Sequence, residues 1–302
     1  MLNIKHILNI KHNIYYTIYY TKMITCHLQG GLGNQLFQIF TTISYALKNE
    51  SSFFFLKQDK LISGPTIRST YWDTIFVSLK HFLAGTINSL IFIKENSFKY
   101  KPLPYINPSK ANYPNMLVGY FQSPKYFDDK KVSICKLLRI EPQKLCIKNE
   151  YPLDYNNIIS MHFRFGDYKQ LQNTYYILTY DYYKDALSYI LTNANIDVNV
   201  CVTVLYYCED SDLDDIIGIV NRLSNEFTNI QFIRAPTILE DWQQLLQMSL
   251  CAHNIIANST FSWWGAYLNL TENKIVCFPS KWFKLETGHD TIDLFPENWI
   301  QI

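Results

Sequence analysis

From Asn34 to about Lys48 the apolar residues Leu36, Ile39, Phe40, Ile43, Ala46 and Leu47 recur at the spacing of one helix face. The apolar run Ile24 to Leu28 before it has strand length, and Gln29-Gly30-Gly31-Leu32-Gly33 joins the two. The glycines of that turn admit backbone angles closed to other residues. Strand, glycine turn and helix open an α/β unit. Phe53 to Leu56 reads as a second strand, Met116 to Phe121 as another, and Phe127 to Leu138 as a helix. Between Ser63 and Pro114 the periodicity fails, and Pro102, Pro104, Pro108 and Pro114 mark long loops.

The second half alternates more regularly. Strands are expected at 158–163, 198–207, 230–233, 254–257 and 274–278, with helices at 181–192, 213–223, 239–252 and 262–270 between them. This alternation implies a parallel sheet covered on both faces. Glu141 to Pro152 is charged and proline-bearing with little periodicity, which sets a domain boundary there. The expected architecture is α/β, with Rossmann-like domains at 23–150 and 151–302 facing a central cleft, ligands binding at strand carboxyl ends. Residues 1–22 carry a near-duplication, Leu2-Asn3-Ile4-Lys5-His6 and Leu8-Asn9-Ile10-Lys11-His12, and read as a poorly ordered extension.

An apolar fraction of 48% and a charged fraction of 18% fit a soluble protein with a sizeable core. A net charge of +1 supplies no basic field, so nucleic acid is not an expected partner. No stretch reaches the roughly 18 apolar residues of a membrane span, and residues 1–22 lack a signal-peptide pattern. The seven cysteines are scattered without a C-x-x-C pair, and some, such as Cys201 and Cys277, lie in apolar runs as small hydrophobes. This usage favours a reducing compartment, and the expected location is cytoplasmic.

Four segments can carry chemistry. In Gly30-Gly31-Leu32-Gly33-Asn34, Gly31 and Gly33 let backbone approach a ligand and Asn34 offers a donor and an acceptor; alternatively this is a tight turn with Asn34 as helix cap. In His162-Phe163-Arg164-Phe165-Gly166-Asp167-Tyr168, His162 and Arg164 share a strand face. Arg164 can fork onto phosphate oxygens, and Asp167 can orient it or accept from a substrate hydroxyl; a structural Arg–Asp pair is the competing reading. Tyr207-Cys208-Glu209-Asp210 leaves a strand where carboxylates meet a ribose or base, and Asp210-Ser211-Asp212 has D-x-D form. The metal reading of that D-x-D is the weaker one, because acids opening a helix are favourable in any case. In Asn258-Ser259-Thr260-Phe261, two hydroxyls and the N–H groups of the next helix make an anion cradle. Trp263 and Trp264 wall the site or pack the helix. Asn258-Ser259-Thr260 and Asn269-Leu270-Thr271 have the form of glycosylation sequons, but their strand–helix setting argues against modification.

The blocks GGLGNQLFQ (30–38), GYFQSPKYF (119–127), HFRFGDY (162–168), MSLCAHNIIANSTFSWWGAYLN (248–269) and PSKWF (279–283) resemble the GDP-fucose-dependent α-1,2-fucosyltransferases of glycosyltransferase family 11. The resemblance spans about residues 23–283. It implies a GT-B fold holding the nucleotide mainly in the C-terminal domain, and inverting, metal-independent transfer of fucose from GDP-fucose to the 2-hydroxyl of a β-galactoside. No cofactor is implied. It makes Arg164 the pyrophosphate-binding arginine of the family's H-x-R-R-x-D motif, with Asp167 and Asn34 in catalytic positions. His162 and Asp210 fall where related enzymes hold the guanosine; Ser259, Thr260 and Phe261 line the donor phosphates. Phe165 departs from the motif's second arginine, and Tyr-Cys-Glu-Asp stands where F-S-D-D is common. Another linkage or donor sugar, a metal-dependent transferase, and a non-catalytic sugar-nucleotide or glycan-binding protein remain as alternatives.

Overall fold

The computed structural model describes residues 23–63, 66–87, 89–106, 113–194 and 201–302. The expected extension 1–22 and the start of the strand expected from Val198 lie outside them. The chain divides into two compact units between Leu138 and Arg139, rather than at 150/151. The reason is a helix where little periodicity is visible in the sequence: Ile140–Glu150. Pro142 stands in its first turn, where a missing N–H costs nothing. The buried Lys144 ammonium of this helix donates to the Leu268 carbonyl at 3.2 Å, which ties it to the second unit.

In the first unit, β1 (Met23–Cys26) leads through the glycine turn into α1 (Leu32–Lys48). The helix starts two residues before Asn34, and its cap is Gly31 in an extended conformation. Of the three glycines only Gly30 takes a left-handed angle, φ +78°. Gly33 lies inside the helix. The expected strand 53–56 is two, β2 (Ser52–Phe53) and β3 (Phe55–Leu56), separated at Phe54, whose N–H reaches the Ile24 carbonyl at 3.0 Å. β4 (Lys60–Ser63) and β5 (Thr66–Ser69) form a hairpin, and β6 (Leu83–Ala84) pairs with β3. β7 (Ile91–Lys94) and β8 (Asn115–Val118) complete a parallel sheet ordered β2-β1-β8-β7. A short helix, α2 (Lys131–Leu137), ends the unit.

The second unit opens with α3, the Ile140–Glu150 helix. Then β9 (Ile158–His162), α4 (Tyr180–Asn193), β10 (Val202–Tyr207), α5 (Leu213–Glu226), β11 (Ile230–Arg234), α6 (Asp241–Met248), β12 (His253–Ile255), α7 (Thr260–Tyr267), β13 (Val276–Phe278) and β14 (Ile300–Gln301) alternate. All strand pairs are parallel, in the order β11-β10-β9-β12-β13-β14. This is the dinucleotide-fold order, whose direction of winding reverses between β9 and β12. Both faces are apolar. Ile159, Met161, Val204 and Tyr206 pack with Tyr183 and Leu187 of α4 on one face. Ile158, Leu205 and Tyr207 pack with Met248 of α6 on the other.

Trp263 and Trp264 are fully buried, so these tryptophans pack the helix and do not wall a site. Cys26, Cys251 and Cys277 are buried as small hydrophobes, with burial raising their thiol pKa values, whereas Cys201 is exposed. The sequon residues Asn258 and Asn269 are buried, and both side-chain amides donate to backbone carbonyls, which removes them as acceptors of a glycan in the folded chain. No helix among the described residues is long and apolar enough to cross a membrane.

Candidate active site

The site residues fall into two groups, one per unit, each at the point where its sheet reverses. In the first unit Gly31, Gly33 and Asn34 follow β1, and the chain leaving β8 comes to them. Asn34 Oδ1 accepts from Gln122 Nε2 at 2.9 Å. The turn is fixed from below by two buried amides. Gln38 donates to the Gln29 carbonyl (3.1 Å) and accepts its N–H (3.0 Å), while Gln35 Nε2 donates to the Gly30 carbonyl (3.1 Å) and the Ser69 carbonyl (2.9 Å). The conspicuous glutamines of GGLGNQLFQ are therefore turn clamps. A side chain at Gly30 would meet Asn34 Nδ2 at 2.4 Å.

Glu95, in the stretch that carries no sequence signal, has the same office for the GYFQ block. Its carboxylate accepts from the N–H groups of Tyr120 (2.7 Å) and Phe121 (3.0 Å). Burial raises its pKa against those two donors. Phe121 takes φ +53°, so the strand expected to run to Phe121 ends at Val118 and the chain turns Gln122 onto Asn34.

In the second unit His162 ends β9. Its Nδ1 lies 2.9 Å from the Ser262 hydroxyl of α7, and that hydroxyl donates to the Ser259 carbonyl at 3.4 Å. A hydroxyl has one proton, so the imidazole Nδ1–H is the donor and Nε2 is left as an acceptor. Burial, helped by the nearby Arg164 charge, lowers the His162 pKa to about 3. The ring is neutral at any working pH.

Arg164 follows, with 19% of its side chain exposed. Nη2 donates to Asp167 Oδ1 at 2.6 Å and Nη1 to Glu209 Oε1. The guanidinium carbon also lies 5.3 Å from the centre of the Tyr168 ring. Burial opposes its charge, but the two carboxylates outweigh burial and its pKa is raised. Asp167 is thus a partner of Arg164, an arrangement that fits both the orienting role and the structural pair. Phe165 points the other way and is 6% exposed in the apolar cluster under the sheet.

Asn258 belongs beneath this surface, not on it. It is fully buried and its amide donates to the carbonyls of Tyr176 (3.0 Å) and Trp282 (3.1 Å), fastening two loops. Its own carbonyl accepts from the Tyr168 hydroxyl at 3.0 Å. Ser259 is the N-cap of α7, its Oγ accepting from Phe261 N at 3.3 Å. Thr260 begins the helix, and the Phe261 ring is 5.4 Å from the His162 ring. Arg164 and the α7 N-terminus therefore emerge from β9 and β12, adjacent strands on either side of the reversal. Asp210 is paired with Arg234 after β10 and β11. Asp212 is not a simple helix-opening acid: its buried carboxylate accepts from Gly166 N (2.5 Å) and Lys169 Nζ (2.9 Å).

The profile described as Glycosyl transferase family 11 matches residues 4–302. The chain belongs to this family. Among curated relatives of this glycosyltransferase is the Escherichia coli O-antigen biosynthesis glycosyltransferase WbnK. It is 28% identical over 324 residues, covering 93% of this chain and 100% of the relative. The Escherichia coli α-1,2-colitosyltransferase is 25% identical over 300 residues, covering 93% and 99%. A solved structure of Arabidopsis thaliana FUT1, a variant in complex with GDP, matches with a TM-score of 0.50 at 13% identity. That match covers 84% of this chain and 70% of the other. The fold is of the GT-B type, with a Rossmann-like sheet in each unit.

Proposed function

We propose that this family 11 glycosyltransferase is an inverting α-1,2-fucosyltransferase that moves fucose from GDP-fucose to the 2-hydroxyl of a β-galactoside. The observation that carries the reading is that Arg164 and the capped N-terminus of α7 follow adjacent strands, β9 and β12, at their carboxyl ends where the sheet reverses. That pairing suits a diphosphate: a guanidinium for its oxygens and oriented N–H groups for its charge.

In the reaction the acceptor 2-hydroxyl oxygen attacks the fucose anomeric carbon from the side opposite GDP. The bond from that carbon to the β-phosphate oxygen breaks, its electron pair stays with GDP, and the hydroxyl proton is released. Arg164 and the α7 amides stabilise the β-phosphate as its charge grows, the kind of preorganised contact that accelerates the step. Asp167, held on Arg164, is a positioning residue. Neutral His162 offers Nε2 to a nucleobase donor, and Asn34, steadied by Gln122, belongs to the acceptor side. Asp210 and Asp212 are each paired with a cation of the chain, Arg234 and Lys169, which supports a structural reading of the D-x-D. The proposed transfer needs no metal and no cofactor.

A second reading is transfer of a related deoxy sugar in the same linkage, favoured by the likeness to an α-1,2-colitosyltransferase. A GDP-release assay over β-galactosides, with GDP-fucose against GDP-mannose and other GDP-deoxyhexoses, separates them. Release from GDP-fucose alone supports the first reading; release from another GDP-deoxyhexose alone supports the second.

A further inference from the structure

Both carboxylates on Arg164 use donors that a diphosphate needs. Nη2 is taken by Asp167 and Nη1 by Glu209. Three of the five N–H donors remain, but a diphosphate forking onto Nη1 and Nη2 meets the charges of both carboxylates at close range. The fork is favoured when one carboxylate yields. Asp167 comes from the same short turn as Arg164 and is 30% exposed, whereas Glu209 reaches in from the loop after β10 and is 49% exposed. Rotation of Glu209 into water is the cheaper of the two, since an exposed ion pair is weakly held.

The approach of Glu209 is built into the backbone. Gly166 has φ +33°, and a Cβ at that position would stand 2.8 Å from Glu209 Oε2. A side chain there would press on the far end of Glu209 and make it shift, and the positive φ itself favours glycine. The second arginine position is no substitute, because Phe165 is turned into the core. The pair of carboxylates around one guanidinium therefore leaves this cluster with a formal charge of −1, from Arg164, Asp167 and Glu209. Such a cluster repels a diphosphate until Glu209 leaves.

We propose that Glu209 is a built-in competitor of the donor diphosphate: it occupies Arg164 in the empty site, is displaced by the nucleotide, and sets donor affinity and GDP release. The proposal rests on the donor reading given above. Glu209 keeps Arg164 aimed while the site is empty and returns as GDP departs. Its role is confined to the diphosphate, so a ligand without phosphates does not feel it.

The test is calorimetric titration of GDP and of guanosine into the wild-type chain, Glu209→Gln and Glu209→Asp, with melting temperatures taken alongside. Gln removes the charge at the same length; Asp keeps the charge but is one methylene too short. The expected result is tighter GDP binding, about fivefold for Gln and about twofold for Asp, sizes fitting a partly exposed ion pair. Guanosine affinity stays as in the wild type. GDP affinity unchanged or weakened in both variants overturns the proposal while leaving the donor reading intact. A wild-type chain that binds no GDP overturns the donor reading and this proposal together. Should Glu209→Gln fail to fold, the Asp variant decides.

Discussion

The His162 imidazole and the Ser262 hydroxyl, 2.9 Å apart, join the end of β9 to the first turn of α7 across the reversal point of the sheet. Because the ring is buried, its pKa in the folded chain lies near 3 against an ordinary 6.5. The unfolded chain therefore binds a proton that the native state does not, and stability falls as the pH drops from about 6.5 towards 3. His253, whose Nδ1 accepts from Ile275 N at 3.0 Å, is lowered by burial as well and adds to the same trend. Melting temperatures between pH 7 and pH 4 are expected to decline less steeply in a His162→Gln variant than in the wild type.

Asn258 is expected to act on stability before chemistry. Truncation to alanine strips the Tyr176 and Trp282 carbonyls of their donor. Leaving one buried and one part-buried acceptor unpaired costs about 2 kcal/mol. Asn258→Ala should melt several degrees lower, and urea denaturation checks the size. Asn258→Asp should be worse, since it removes the donor and adds a buried charge.

Restoring the motif arginine is expected to fail. Phe165 lies among Phe163, Leu178 and Ile216 in the apolar cluster of the second unit. A Phe165→Arg chain must bury an unpaired guanidinium, at a cost of about 3 kcal/mol or more. It should express poorly or melt early, and the purified fraction should turn over no faster than the wild type.

The regular second half of the fold was readable because short apolar-rich stretches alternate with segments of helical spacing, and β9 to β13 overlap those stretches. The helix Ile140–Glu150 was not, because its faces are weakly separated and Pro142 mimics a boundary. At the site, Arg164 and the start of α7 were legible as residue types at strand ends. Glu209 as the second partner of Arg164 was not, since it comes from another strand and depends on the space left by Gly166. Glu95 and Gln122 were missed for a similar reason: their roles are to hold backbone and Asn34 through pairings distant in sequence. Asn258, in the segment read as an anion cradle, is a buried fastener, a distinction set by packing and invisible in a motif.

The most direct measurement is GDP release from GDP-fucose in the presence of a β-galactoside, comparing wild type with Arg164→Ala, each with and without chelator. The account predicts release by the wild type, unaffected by chelator, and a fall of about a hundredfold or more in turnover on losing the charge that meets the leaving group. Near-normal turnover by Arg164→Ala would contradict it, as would activity abolished by chelator.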